Sequence, residues 1–78
     1  MPKWRLDYTP EVLNYFEDAG IYAADVLQGL RMLQYTADGM PPEGATEVRG
    51  QLFWYTIYHL VIYVRREDTI YVTVVKPD

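Results

Sequence analysis

Residues 51 to 75 read QLFWYTIYHLVIYVRREDTIYVTVV. Outside the RREDT segment, Arg65 to Thr69, nearly every residue is β-branched, aromatic or aliphatic, the composition of strands. RREDT is the one polar break and predicts the turn of an antiparallel hairpin. A single strand from Leu52 to Val64 would extend about 43 Å at roughly 3.3 Å per residue, too long for a small domain. The reading is therefore a strand bent or split near Tyr58 and His59, with a further strand from Ile70 to Val75. Successive side chains of a strand point to opposite faces. The even positions, most clearly Leu60, Ile62, Val64, Ile70, Val72 and Val74, read as the core face. The odd positions carry Tyr55, His59, Tyr63, Tyr71 and Thr73 among aliphatics. Neither set is plainly polar, so the second face is expected either to be covered or to bind something.

Upstream, Trp4, Leu6 and Tyr8 alternate with Lys3, Arg5 and Asp7, the pattern of a half-buried strand. Thr9-Pro10-Glu11 predicts a helix start: threonine as N-cap, proline at the first helical position, glutamate at the positive end. Val12, Leu13, Phe16 and Ala19 share one side of that helix, and Gly20 ends or breaks it. A second helix is predicted from about Ile21 to Tyr35, with Ala23, Val26, Leu27, Leu30 and Leu33 as its apolar stripe. Asp25, Gln28 and Arg31 fall off the stripe. Gly29 costs this helix roughly 1 kcal/mol relative to alanine, which suggests close packing there. Thr36 to Glu47 reads as loop, because Gly39, Pro41, Pro42 and Gly44 exclude regular structure. The expected fold is a single α+β domain over residues 1–78: an N-terminal strand, a helical hairpin, then a three-stranded antiparallel meander, with the helices on one face of the sheet.

Composition narrows the functional classes. The chain has 78 residues, no cysteine and one histidine, so disulfides and thiolate metal sites are excluded and no metal or other cofactor is expected. A net charge of −4 argues against a broadly basic nucleic-acid surface. The 13-residue apolar run is too short for a membrane helix, and the N-terminus carries Lys3, Arg5 and Asp7 where a leader would be apolar. A cytoplasmic protein is the expectation. There is no serine, so no Ser-His-Asp set can form, and the glycines are too dispersed to cradle a phosphate.

The element order, together with WRLDYTPEVLNYFED, the Arg49-Gly50 pair, HLVIYV, the charged turn and IYVTVV, resembles the RelE/ParE superfamily, the toxins of bacterial type II toxin–antitoxin pairs. The resemblance covers almost the whole chain and rests on order, length and hydrophobic pattern. It implies a small bacterial protein that binds a cognate antitoxin. It also implies one of two activities: mRNA cleavage in the ribosome, or inhibition of DNA gyrase. RelE-like sequences usually have an arginine where this chain has Leu60; an aliphatic residue there is similar to the ParE branch. The regions that match the RelE catalytic positions offer Arg49, Tyr71 and Lys76. Beside that resemblance, His59 is the single side chain with an unperturbed pKa suited to acid–base work, and a hydrogen bond within a β-turn is the alternative role for it. Tyr55, His59, Tyr63, Arg65 and Arg66 are the candidate partner-binding residues, because tyrosine and arginine carry binding hot spots. The rival expectation is a non-enzymatic interaction module whose aromatic sheet face makes a homodimer or a hetero-complex.

Overall fold

A computed structural model describes residues 2–78. The chain is a mixed α+β domain with two α-helices against a five-stranded sheet. Strand β1 (Arg5–Tyr8) leads into helix α1 (Pro10–Ala19), a 3-10 turn (Gly20–Ala23) and helix α2 (Ala24–Leu33). Strands β2 (Thr46–Val48), β3 (Gln51–Tyr55), β4 (His59–Arg66) and β5 (Thr69–Pro77) follow. The sheet order is β1-β5-β4-β3-β2, antiparallel throughout except that β1 runs parallel to β5.

The local signals at the start of α1 behave as their chemistry requires. Thr9 Oγ1 accepts from the Val12 amide at 3.3 Å, Pro10 takes the first helical position, and Gly20 closes the helix at φ 55°. The turn between β3 and β4 falls at Thr56 to Tyr58; of the RREDT segment only Glu67, at φ 56°, and Asp68 form the turn, while Arg65 and Arg66 close β4 and Thr69 opens β5. The meander is longer than the sequence suggests. Thr46–Val48, inside and just beyond the stretch read as loop, forms β2, so four consecutive antiparallel strands are present instead of three. Three residues are too few to carry a period-two pattern, and β2 is held by its hairpin to β3. Arg49 and Gly50, with φ 53° and 83°, supply the two positive-φ positions that a two-residue hairpin turn uses.

The face assignment of β4 is reversed relative to the sequence reading. Leu52 and Trp54 of β3 do face the helices, but on β4 it is the odd set, His59, Val61 and Tyr63, that is buried there. The cause is hairpin parity. The pair that closes the β3–β4 turn is Tyr55–Leu60, which brackets an even number of residues, so an even position on one strand faces with an odd position on the next. On β5 the core set is Ile70 and Val72, then Val75. A bulge between Ile62 and Tyr63 leaves Thr73 as the extra residue and shifts the parity again.

The core lies between the helices and this face, with Val12, Val26, Leu30 and Leu33 packed on Leu52, Trp54, Val61, Tyr63, Ile70 and Val72. Gly29 has the close-packing role its cost implied: a Cβ there would sit 2.5 Å from Trp54 Cη2. Among the described residues, the other face of the sheet carries no helix. Among the described residues, no helix is long and apolar enough to cross a membrane.

Candidate functional site

Two regions gather chemistry-bearing side chains, and they lie on opposite sides of the sheet. The first is a buried hydrogen-bonded chain on the helix side. His59 opens β4 and is fully buried. Its Nδ1 lies 3.0 Å from Asp25 Oδ1 on α2, and its Nε2 lies 2.7 Å from the Tyr15 hydroxyl on α1. With Asp25 ionised, Nδ1–H donates to the carboxylate and Nε2 accepts from the phenol. The second Asp25 oxygen accepts from the Thr56 hydroxyl at 2.6 Å and the Tyr58 amide at 3.0 Å. Burial pushes the Asp25 pKa upward, but the bonds from Thr56, Tyr58 and His59 outweigh it and hold the carboxyl below its ordinary value. Burial, with Tyr22 and Asp25 nearby, raises the Tyr15 pKa.

The order carboxylate, imidazole, hydroxyl has the form of a nucleophile relay. Its surroundings give it a different task. Thr56 and His59 close the β3–β4 turn on one another, with Thr56 N–H donating to the His59 carbonyl at 2.9 Å and His59 N–H donating to Thr56 Oγ1 at 3.1 Å. Asp25 therefore ties α2 to that turn, and His59 ties the turn to α1. A phenol of raised pKa is a poorer nucleophile and a poorer acid at neutral pH. The chain is a brace that joins three elements.

The second region is the helix-free face of the sheet. Register places Phe53, Leu60, Ile62, Val64, Tyr71 and Val74 there, because cross-strand partners share a face. Phe53, Ile62, Val64, Tyr71 and Val74 are half-buried. Arg5, Arg66 and Lys76 stand on the same side, and the acids Asp7 and Glu67 lie beside Arg66 and Tyr71. The chain, of net charge −4, thus turns a margin of mixed charge to this side. Its acids are carried largely by the helix side, where residues 10 to 33 hold Glu11, Glu17, Asp18 and Asp25 against Arg31.

The residues singled out from sequence divide between these regions. Tyr55, 59% exposed, stands at the corner of the helix-free face, and Arg66 is exposed at the end of β4. His59 and Tyr63, expected on a partner-binding face, are instead fully buried under the helices. Tyr63 donates its hydroxyl to the Gly39 carbonyl at 2.7 Å, and burial pushes its pKa up to about 12. Arg65 also faces the helix side, donating to the Asp38 carbonyl at 2.6 Å and pairing with Glu47 at 3.6 Å.

Arg49, Tyr71 and Lys76 are not brought together as a set. Arg49 sits at the β2–β3 turn, and its neighbour Gln51 lies in a row with Val64 and Tyr71, two strands away or about 10 Å. Lys76 lies in the row of Leu60 and Tyr55 at the other end of the strands, roughly 13 Å along the sheet from the Gln51 row. Sequence reasoning missed Asp25, Tyr15 and Thr56. The one available signal was Asp25, an acid off the stripe of a helix whose partner is 34 residues away. In comparisons with known proteins, no protein-family model, no curated protein and no solved structure matched this chain.

Proposed function

We propose that this chain is a toxin-type component of a bacterial type II toxin–antitoxin pair, RelE/ParE-like, and that it acts by contact through the helix-free face of its sheet. The observation that carries this reading is the apolar surface of Phe53, Leu60, Ile62, Val64, Tyr71 and Val74, bordered by Arg5, Arg66 and Lys76 and by the acids Asp7 and Glu67. Such a face suits an antitoxin segment with apolar anchors and flanks of mixed charge, because complementary rims steer association and fix register. The strand–helix–helix order followed by consecutive antiparallel strands agrees with the family resemblance.

Inhibition of DNA gyrase is the favoured activity over mRNA cleavage. Cleavage by attack of a ribose hydroxyl needs an acid, a base and a phosphate-binding cation held within hydrogen-bond reach of one another. Arg49, Tyr71 and Lys76 are spread along and across the sheet, and position 60 is leucine. The His59 chain is spent on bracing the turn.

Growth of a bacterial culture on tightly induced expression tests the reading. The expected result is arrest, inhibition of supercoiling by purified gyrase, and no new mRNA ends. Arrest with mRNA cleavage that Arg49→Ala and Lys76→Ala abolish would replace the contact mechanism with a nuclease. Unimpaired growth, with light scattering showing a stable dimer, would favour the interaction module instead.

A further inference from the structure

The helix-free face of the sheet extends further than its half-buried centre. Register puts Val48 of β2 in one row with Gln51, Val64 and Tyr71, so the apolar surface continues to the edge strand. Val48 is 49% exposed, and Tyr55, at one corner of the face, is 59% exposed. From the row of Arg66 to the row of Lys76 there are four rows, two residues apart. Laid on five strands, they measure about 20 Å along the strands and about 19 Å across them. With its side chains added, such a face is close to the roughly 800 Å² that each partner of a standard protein interface buries.

The charge of this face differs from that of the rest of the chain. At its margin Arg5, Arg66 and Lys76 stand with Asp7 and Glu67, close to balance. The chain has seven lysines and arginines against eleven acids, so its excess acid lies elsewhere, much of it on the helix side. None of the five marginal groups belongs to either ion pair formed among the described residues. Both signs are therefore present on one face and unpaired there. A second copy of the chain brings the same two signs, and two acidic molecules repel each other least where the acid excess is absent.

We propose that a second copy of this chain docks on the helix-free face, the two sheets stacked about 10 Å apart around a twofold axis, and that the pair withholds this face from any other partner. The apolar rows of the two copies cover each other, and the marginal cations of each copy have acids of the other to meet. The helix layers, which carry the acid excess, lie on the outside of the pair, as far apart as the fold allows. A segment of single charge would satisfy one sign of the margin; a second copy satisfies both. An interface of this size, with half-buried side chains, predicts a reversible pair of about micromolar affinity. What is withheld rests on the toxin-type reading, whereas the pairing itself does not.

Sedimentation velocity of the full chain from about 1 to about 200 µM tests the pairing, because mass action makes it concentration-dependent. The expected result is a monomer that gives way to a dimer, with amide resonances of Val48, Ile62 and Val64 shifting on dilution. Ile62→Glu puts an acid at the centre of the face and should weaken the pair at least about tenfold. Val48→Lys changes an exposed side chain of the edge strand, should weaken it about threefold, and decides the matter where Ile62→Glu does not fold. In a gyrase supercoiling assay the free monomer is the inhibitor, so inhibition should grow only as the square root of total chain above the dimer constant. Inhibition proportional to total chain through that concentration would overturn the withholding. A monomer at every concentration, or a dimer indifferent to both substitutions, would overturn the pairing. So would dilution shifts confined to Ile21, Tyr22 and Ile57, which would place the contact at the exposed turns instead. A dimer that inhibits no gyrase and arrests no growth would uphold the pairing and remove the toxin-type reading, so the two failures are distinguishable.

Discussion

The two faces of the sheet use similar residues in opposite ways. Under the helices, Tyr63, Trp54 and His59 are buried, and each polar atom has a partner: Gly39 for the Tyr63 hydroxyl, Glu43 for the indole, Asp25 and Tyr15 for the imidazole. Among the described residues, no buried side-chain nitrogen or oxygen is left without a hydrogen bond. On the helix-free face, Tyr71 and Tyr55 stand beside half-buried aliphatics, with Arg66 and Lys76 at the margin. The difference teaches where to look for function. A satisfied polar chain, however suggestive its order of carboxylate, imidazole and hydroxyl, is committed to the fold. Groups with nothing to touch are the ones available to a partner.

The comparison is most easily broken at Asp25. Asp25→Ala leaves the Thr56 hydroxyl, the Tyr58 amide and the His59 ring without their acceptor, and should cost about 3–5 kcal/mol of stability by urea denaturation. A smaller loss would mean that the chain is not a brace, and would reopen a catalytic role. The same carboxylate has a pH signature. Its folded-state pKa is depressed, so its contribution is fully present above the unfolded value of 3.8 and is lost as pH falls through the lower folded value. The stability difference between the wild type and Asp25→Asn should therefore be constant near neutral pH and shrink below about pH 4.

Gly29→Ala comes next. Helix propensity alone predicts a gain of about 1 kcal/mol. The added Cβ would meet the Trp54 ring at 2.5 Å, and overpacking of this kind typically costs about 1–3 kcal/mol, so net destabilisation is expected. Tyr63→Phe leaves the Gly39 carbonyl without its donor and should cost about 1 kcal/mol in thermal or urea unfolding, without altering any binding activity. The smallest effect on stability is expected across the sheet. Tyr71→Ala should change the unfolding free energy by only about 0.5–1 kcal/mol, yet weaken a partner on that face by a factor of roughly 30 in a titration, as loss of a hot-spot tyrosine does. Equal losses of stability in Tyr63→Ala and Tyr71→Ala would erase the distinction between the faces.

Much of the fold was legible because the signals were local. Thr9-Pro10-Glu11 marked the start of α1, Gly20 its end and RREDT a turn, and strand length required a split near Tyr58 and His59, which falls just before, at Thr56 to Tyr58. What was not legible depends on counts that composition does not carry. Hairpin parity at Tyr55–Leu60 decided that Tyr63 and His59 go inside, and one bulged residue, Thr73, reversed the end of β5. The Asp25–His59–Tyr15 chain joins residues 34 and 44 positions apart, and nothing local to any of them announces the others. The margin of the helix-free face was likewise hidden, because Arg5, Arg66 and Lys76 come from three strands that only the sheet order brings to one side.

The central claim is that the helix-free face carries the activity and the His59 chain carries the fold. Induced expression of the wild type, Tyr71→Glu and Tyr15→Phe in parallel bacterial cultures, at matched soluble levels, tests it most directly. The account predicts growth arrest by the wild type and by Tyr15→Phe, and normal growth with Tyr71→Glu, which sets an acid on the face. Arrest that survives Tyr71→Glu and disappears in a folded Tyr15→Phe would contradict it, and would move the activity to the buried chain.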